Sequence, residues 1–175
     1  MKTLLISAGH SDQDPGAVSG LHTEAKLALE LRDLIVEELK TTAIKVLTDG
    51  TEGQNLALKE AIFLAKQVDL AVELHFNAAG SAFAQGVESI SLPAKKEISQ
   101  KLSASISSVL GSRLRGDSGW IDQSQSARGK LGFVQAGGII VEVCFITNTM
   151  EMEYYQLNKA KLAHVLALTL KEYLK

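Results

Sequence analysis

The chain has 175 residues, 46% hydrophobic and 22% charged, with a formal net charge of −2. That length suits one domain with a well-buried core, and the near-balanced charge supplies no basic field to hold nucleic acid. A single cysteine, Cys144, excludes an intramolecular disulfide and any site of several thiolates, so a metal would have to draw on His, Asp or Glu.

The opening MKTLLIS carries one lysine and a short apolar stretch, with no small-residue cleavage pattern before the polar loop that follows. It reads as a strand over residues 2–7, not as a signal peptide. The loop SAGHSDQDPGA holds His10, and residues 22–40 then read as a helix, with Leu27, Leu31, Leu34, Ile35 and Leu39 at helical spacing. A short strand is expected over 44–48, closed by Asp49-Gly50. A helix follows over 54–67, then strands over 70–76 and 86–92. Residues 99–110 read as a helix, with Pro93 suited to a first turn. The Gly-, Ser- and Asp-rich stretch 111–129 reads as loop. The β-branched run over 138–146 reads as a central strand, and 151–174 closes the chain as a long helix. No stretch approaches the ~20 apolar residues of a membrane span, so no membrane insertion is expected. Strands alternating with helices imply an α/β fold around a largely parallel sheet, here as one domain over 1–175.

In such sheets, sites form where strands end. Four polar residues occupy such places, or unusually apolar ones. His10 follows the first strand and by itself reads as an ordinary loop histidine. Glu24, in the first helical turn, suits the helix dipole. Yet it shares a stripe with Leu27, Leu31 and Ile35, where a carboxylate is costly unless paired or bound to metal. Alternation along LAVELHFNA puts Ala71, Glu73, His75 and Asn77 on one strand face, which either meets water or lines a site. Glu142 interrupts GGIIVEVCFI and would cost several kcal/mol if buried without a partner. It reads as half of an ion pair or as a functional carboxylate. Two histidines and a glutamate form a donor set that Zn²⁺ accepts in catalytic sites, and a second carboxylate would then move protons. No H-E-x-x-H helix motif is present.

SAGHSDQDPGA, Glu24 at a helix start, ELHFNAA and IIVEVCFITN, in that order, resemble the zinc-dependent N-acetylmuramoyl-L-alanine amidases of the amidase-3 type. The resemblance spans essentially the whole chain and is strongest toward single-domain phage endolysins. It implies a mixed, mostly parallel central sheet flanked by helices on both faces, the phosphorylase/hydrolase-like amidase fold. It implies one Zn²⁺ per chain on His10, Glu24 and His75, with Glu142 as the catalytic proton shuttle. The reaction implied is hydrolysis of the peptidoglycan amide between the lactyl group of N-acetylmuramic acid and L-alanine, by zinc-activated water.

Three residues depart from the family's usual pattern: Ser7, Ser11 and Glu73. Glu73 shares a face with His75, so it is expected to support that histidine or to compete with Glu142 for the proton. Residues 93–135 hold no long occluding insertion, which predicts an open cleft. No wall-binding module is evident. A monomer is expected, made in the cytoplasm without a signal peptide and acting at the cell wall after release by a separate holin-like protein; a bacterial or prophage enzyme is the other setting. Two rival functions are a zinc metallopeptidase cutting within the stem peptide and a catalytically dead wall-binding module.

Among lesser candidates, Asn77 and Arg128 are potential substrate contacts and Trp120 a potential sugar platform. Cys144, one residue beyond Glu142's neighbour, is read as sharing its strand face but serving as core. His164 reads as solvated, His22 as an improbable substitute ligand, and Asp12 and Asp14 as turn formers.

Overall fold

The apolar run TLLISA forms β1 (Thr3–Ala8) in the computed structural model, which describes residues 1–126 and 128–175. A two-stranded hairpin, β2 (Val18–Ser19) and β3 (His22–Thr23), leads into α1 (Glu24–Leu39). The remaining elements are β4 (Lys45–Thr48), α2 (Leu58–Ala65), β5 (Leu70–Asn77), β6 (Glu88–Ser91), α3 (Lys96–Leu110), β7 (Trp120–Asp122), α4 (Gly132–Gln135), β8 (Ile139–Phe145) and α5 (Thr149–Tyr173). Six strands make one sheet in the order β4-β1-β5-β8-β6-β7. Only the β6–β8 pairing is antiparallel, so the sheet is mixed and mostly parallel, with helices around it. The central strands β1, β5 and β8 are covered on both faces, which is why their sequences read as nearly continuous apolar runs.

The two faces are covered unequally, and this places the cleft. On one side α1, α3 and α5 pack Leu27, Leu31, Ile98, Leu102, Leu162 and Leu166 onto Leu4, Leu74 and Val141. On the other, α2 and α4 supply Ala61, Ala65, Phe133 and Val134 over Leu5, Ala71, Ile90 and Ile140. These two helices are only 8 and 4 residues long. They shield one end of the strands, and half-buried polar side chains further along the same face, His75, Asn77 and Glu142, line a cleft.

Several sequence expectations shift at the element ends. The helix expected over 22–40 begins at Glu24, because Thr23 is extended and its hydroxyl caps Lys26 N–H while His22 and Thr23 pair with the hairpin. The helix expected over 54–67 shortens to α2, because Gln54 and Asn55 are held in a loop by Arg32 and Asp12. The stretch 111–129, read as loop, carries β7, which lies beside β6 and ties Trp120 Nε1 to Ser91 Oγ at 2.9 Å. Helix α4 was not anticipated, since one turn leaves no periodicity to read. Among the described residues no helix is long and apolar enough to cross a membrane.

Candidate metal centre

His10, Glu24 and His75 arrive from three separate places: the tip of β1, the first turn of α1 and the end of β5. Each offers a donor atom, and the three lie within 4.8 Å of one another. Glu24 is the hub. Its Oε1 accepts from His75 Nδ1 at 2.8 Å and from Phe76 N–H at 3.2 Å. Its Oε2 lies 2.9 Å from His10 Nε2 and accepts Ala17 N–H at 3.1 Å. The carboxylate on the apolar stripe of α1 is thus buried and fully partnered, which answers the cost noted from sequence.

The far nitrogen of each imidazole is held by another carboxylate. His10 Nδ1 bonds Asp14 Oδ2 at 3.0 Å, and His75 Nε2 bonds Glu73 Oε2 at 2.9 Å. Carboxylates in that position fix ring orientation and tautomer and make the facing nitrogen a better donor. Asp14, read as a turn former, therefore does both jobs: its Oδ1 accepts Gly16 N–H at 3.1 Å. Nothing in its spacing distinguished that second role.

Backbone geometry is fitted to this cluster. His10 adopts a left-handed φ of 66°. A Cβ on Gly16 would sit 2.5 Å from the His10 ring, and one on Gly9 would sit 2.4 Å from the His75 ring. Gly9 is needed because the His75 ring packs against its Cα, while the unusual backbone turn falls on His10. The β1 tip is braced from behind. Asp49 Oδ1 accepts Ala8 N–H at 3.1 Å, and Asn55 Nδ2 donates to Gly9 O at 2.9 Å. Fully buried Arg32 joins Asp49 at 3.1 Å and donates to the carbonyls of Gln54 and Thr51.

Charge in the cluster is coupled. Hydrogen bonding to Glu24 raises the His10 pKa. Burial opposes charge on His75, but Glu24 and Glu73 outweigh it and hold that imidazole well above its ordinary value. Burial likewise opposes charge on Glu24, yet the two histidines hold its carboxyl well below the usual range. Glu24 is thus shared between two imidazoles whose charged forms it favours. Two imidazole nitrogens and a carboxylate oxygen, with orienting carboxylates behind them, are donors suited to Zn²⁺.

Glu142 lies directly across from His75 in the β5–β8 pairing and from Glu88 in the β6–β8 pairing. Its Oε2 is buried and has no hydrogen-bond partner among the described residues. Burial is the main reason its pKa rises to about 7; His75 lowers it, and Glu24 and Glu88 raise it further. Among the described residues no salt bridge holds it, in contrast to the ion-pair alternative considered from sequence. These residues line a cleft of about 850 Å³ together with Asn77, Glu88, Arg115, Ile121, Arg128 and Leu131.

The other candidates separate clearly. Asn77 lines the cleft and donates to Glu88 Oε1 at 3.2 Å, and Arg128 lines it exposed. Trp120 does not reach the cleft: Lys96 Nζ sits 4.8 Å from its ring centroid on the α3 side, and Ile121 faces the cleft instead. Cys144 is not on the face of Glu142. His75 pairs with Glu142 but Asn77 pairs with Phe145, an extra residue on β8 that turns Cys144 into the core between the sheet and α1, α3 and α5. Solvated His164 meets Glu38 at 2.7 Å, and His22 stays in the hairpin, outside the donor cluster. Sequence reasoning missed Glu88 and Arg115. Their only signal was a carboxylate at the start of an apolar strand.

Residues 4–171 match the family model described as N-acetylmuramoyl-L-alanine amidase. A Neisseria meningitidis protein provisionally assigned as an N-acetylmuramoyl-L-alanine amidase has a crystal structure that superposes with a TM-score of 0.92 at 33% identity, over 99% of this chain and 96% of that one. YqiI of Bacillus subtilis (strain 168), an uncharacterized protein, is 28% identical over 155 residues, 87% of this chain and 74% of its own. N-acetylmuramoyl-L-alanine amidase LytC of the same organism is 24% identical over 157 residues, which cover 86% of this chain and 30% of LytC.

Proposed function

The chain belongs to the N-acetylmuramoyl-L-alanine amidase family, and from that premise we propose that it hydrolyses the peptidoglycan amide joining the lactyl group of N-acetylmuramic acid to L-alanine. The observation that carries this reading is the convergence of His10, Glu24 and His75 donors within 4.8 Å, beside a carboxylate whose Oε2 is buried without a partner. His10 Nε2, Glu24 and His75 Nδ1 are the residues that would hold Zn²⁺. There the metal would supply water activation near neutral pH and polarisation of the scissile carbonyl.

Each side chain then has a task. Asp14 and Glu73 hold the imidazoles so that the correct nitrogen faces the metal position. Glu142 takes the proton of the attacking water on Oε2 and delivers it to the L-alanine nitrogen as the carbon–nitrogen bond breaks. A carboxyl whose pKa lies near 7 suits both halves of that transfer. Glu73 is fixed on His75 Nε2, which favours Glu142 over Glu73 as the proton carrier. Asn77 and Arg128, on the cleft wall, are the substrate contacts in this reading. The wall-lytic role of a phage endolysin belongs to the same proposal and is tested by release of the enzyme during infection.

Metal content and digestion of purified peptidoglycan, with mass analysis of the fragments, test the activity. The expected result is one zinc per chain, intact peptides with a free L-alanine amino terminus, and muramic acid left bare. Cuts inside the peptide would assign the chain to the metallopeptidases instead. Full activity in a folded, metal-replete Glu142→Ala variant would remove Glu142 from the mechanism.

A further inference from the structure

The row of side chains across the sheet does not end at the candidate metal centre. From His75 it passes to Glu142 on β8, to Glu88 on β6, and then to Arg115, whose N–H bonds Val87 O just after Leu114 bridges Val87. Buried Glu88 is a clamp. Its Oε1 accepts from Asn77 Nδ2, and its Oε2 accepts from Arg115 Nε. The Arg115 guanidinium also lies over the Phe145 ring, 5.1 Å from its centroid. The guanidinium is thereby held at Nε and over the Phe145 ring. Among the described residues its Nη groups have no hydrogen-bond partner, and Arg115 lines the same cleft as Glu142.

A guanidinium held by Nε and a ring face, with its terminal N–H groups free, is preorganised for a carboxylate. Arg128 on the same cleft wall adds a second cation, whereas the metal end of the cleft carries Asp14, Glu24 and Glu142. Neighbouring strands stand about 4.8 Å apart, so the backbone of Arg115 is about 10 Å from that of Glu142. An extended peptide advances about 3.5 Å per residue. A carboxylate on the second residue after the scissile bond lies within reach of the Arg115 fork.

We propose that Arg115, clamped by Glu88 and Phe145, binds the α-carboxylate of the second stem-peptide residue and makes the enzyme prefer peptides in which that carboxyl is free over those in which it is amidated. This rests on the amidase reading above, and it adds a specificity residue that contacts the leaving peptide and takes no part in bond cleavage. The amide analogue offers N–H groups to a site made of donors, which leaves the fork without an acceptor.

Two muramyl peptides that differ only in this group, free acid and amide at the second residue, give the test with the zinc-loaded full chain. The expected result is a kcat/KM about tenfold higher for the free acid. Arg115→Met should bring the ratio to about one, with the loss in KM for the acid and activity on the amide retained. Arg115→Lys, which keeps the charge but loses the fork, should give an intermediate ratio. Equal kcat/KM for the two peptides in the unmodified enzyme, or an unchanged ratio in both variants, overturns the proposal and leaves the amidase activity standing. Hydrolysis of neither peptide overturns the activity and the proposal together.

Discussion

At the scale of single residues, Glu142 shows the tension between folding and function. Its carboxyl holds a proton up to about pH 7 in the folded, metal-free protein, against an ordinary 4.5, mainly because it is buried. Between those values the folded state binds a proton that the unfolded chain releases. Its contribution is therefore most favourable below pH 4.5, declines as pH rises, and is lowest above pH 7. Glu142→Gln should accordingly stabilise the metal-free protein at pH 8 by up to about 3 kcal/mol, with little effect at pH 4. Urea denaturation at the two pH values measures this. The same variant should lose about 10²–10⁴-fold in activity. The imidazoles predict a second pH effect. Glu24 raises both histidine pKa values, so metal competes with protons for both rings. Zinc binding should release protons and weaken as pH falls. Calorimetry in buffers of different ionisation enthalpy reads the number of protons released, and a buffer-independent enthalpy would contradict the raised histidine pKa values.

At the scale of elements, the centre depends on how the end of β1 is held. Arg32 sits on α1 two turns beyond Glu24, fully buried, and joins Asp49 and the loop carbonyls of Thr51 and Gln54. Asp49 in turn fixes Ala8, two residues before His10. One helix thus supplies both a donor and the brace for another donor's strand. Arg32→Met should cost about 3–5 kcal/mol, because it leaves Asp49 buried without its cation. It should also reduce zinc content at limiting metal, since the β1 tip loses its fixed position. Metal analysis beside chemical denaturation separates the two effects. Sequence periodicity gave the stripe of α1 correctly but offered no reason to expect a buried arginine on it. Apart from its neighbour Asp33, its partners lie in a loop whose conformation no local pattern specifies.

At the scale of the whole molecule, Glu151 locks the open end of the sheet. Its carboxylate accepts N–H groups from Gly86 and Phe145 and the hydroxyl of Ser112, while Asn148 caps the start of α5 with it. The segment before β6, the end of β8 and the loop after α3 all meet there. Glu151→Ala should strand those donors and cost about 3 kcal/mol. For a domain of this size that lowers Tm by about 6–12 °C, which calorimetry of the metal-free protein measures. The openness of the cleft is also a whole-molecule property. It follows from the short α2 and α4 covering only one end of that face of the sheet.

The sequence by itself determined the α/β class, the alternation of most elements and the identity of four unusual polar residues. Each of those signals is local: apolar period, turn chemistry, a carboxylate where carboxylates are costly. It did not determine β7, α4, the hairpin, the pairing of Asp14 with His10, which of two roles Glu73 takes beside His75, or the clamp of Glu88 on Arg115. These depend on which strands lie side by side and in what register. A one-residue bulge on β8 was enough to send Cys144 to the opposite face from the one its spacing suggested. Only the tertiary structure decided that His10 and Glu24 meet His75, more than fifty residues further along the chain, within 4.8 Å, because convergence is a property of packed strands and not of spacing along a chain.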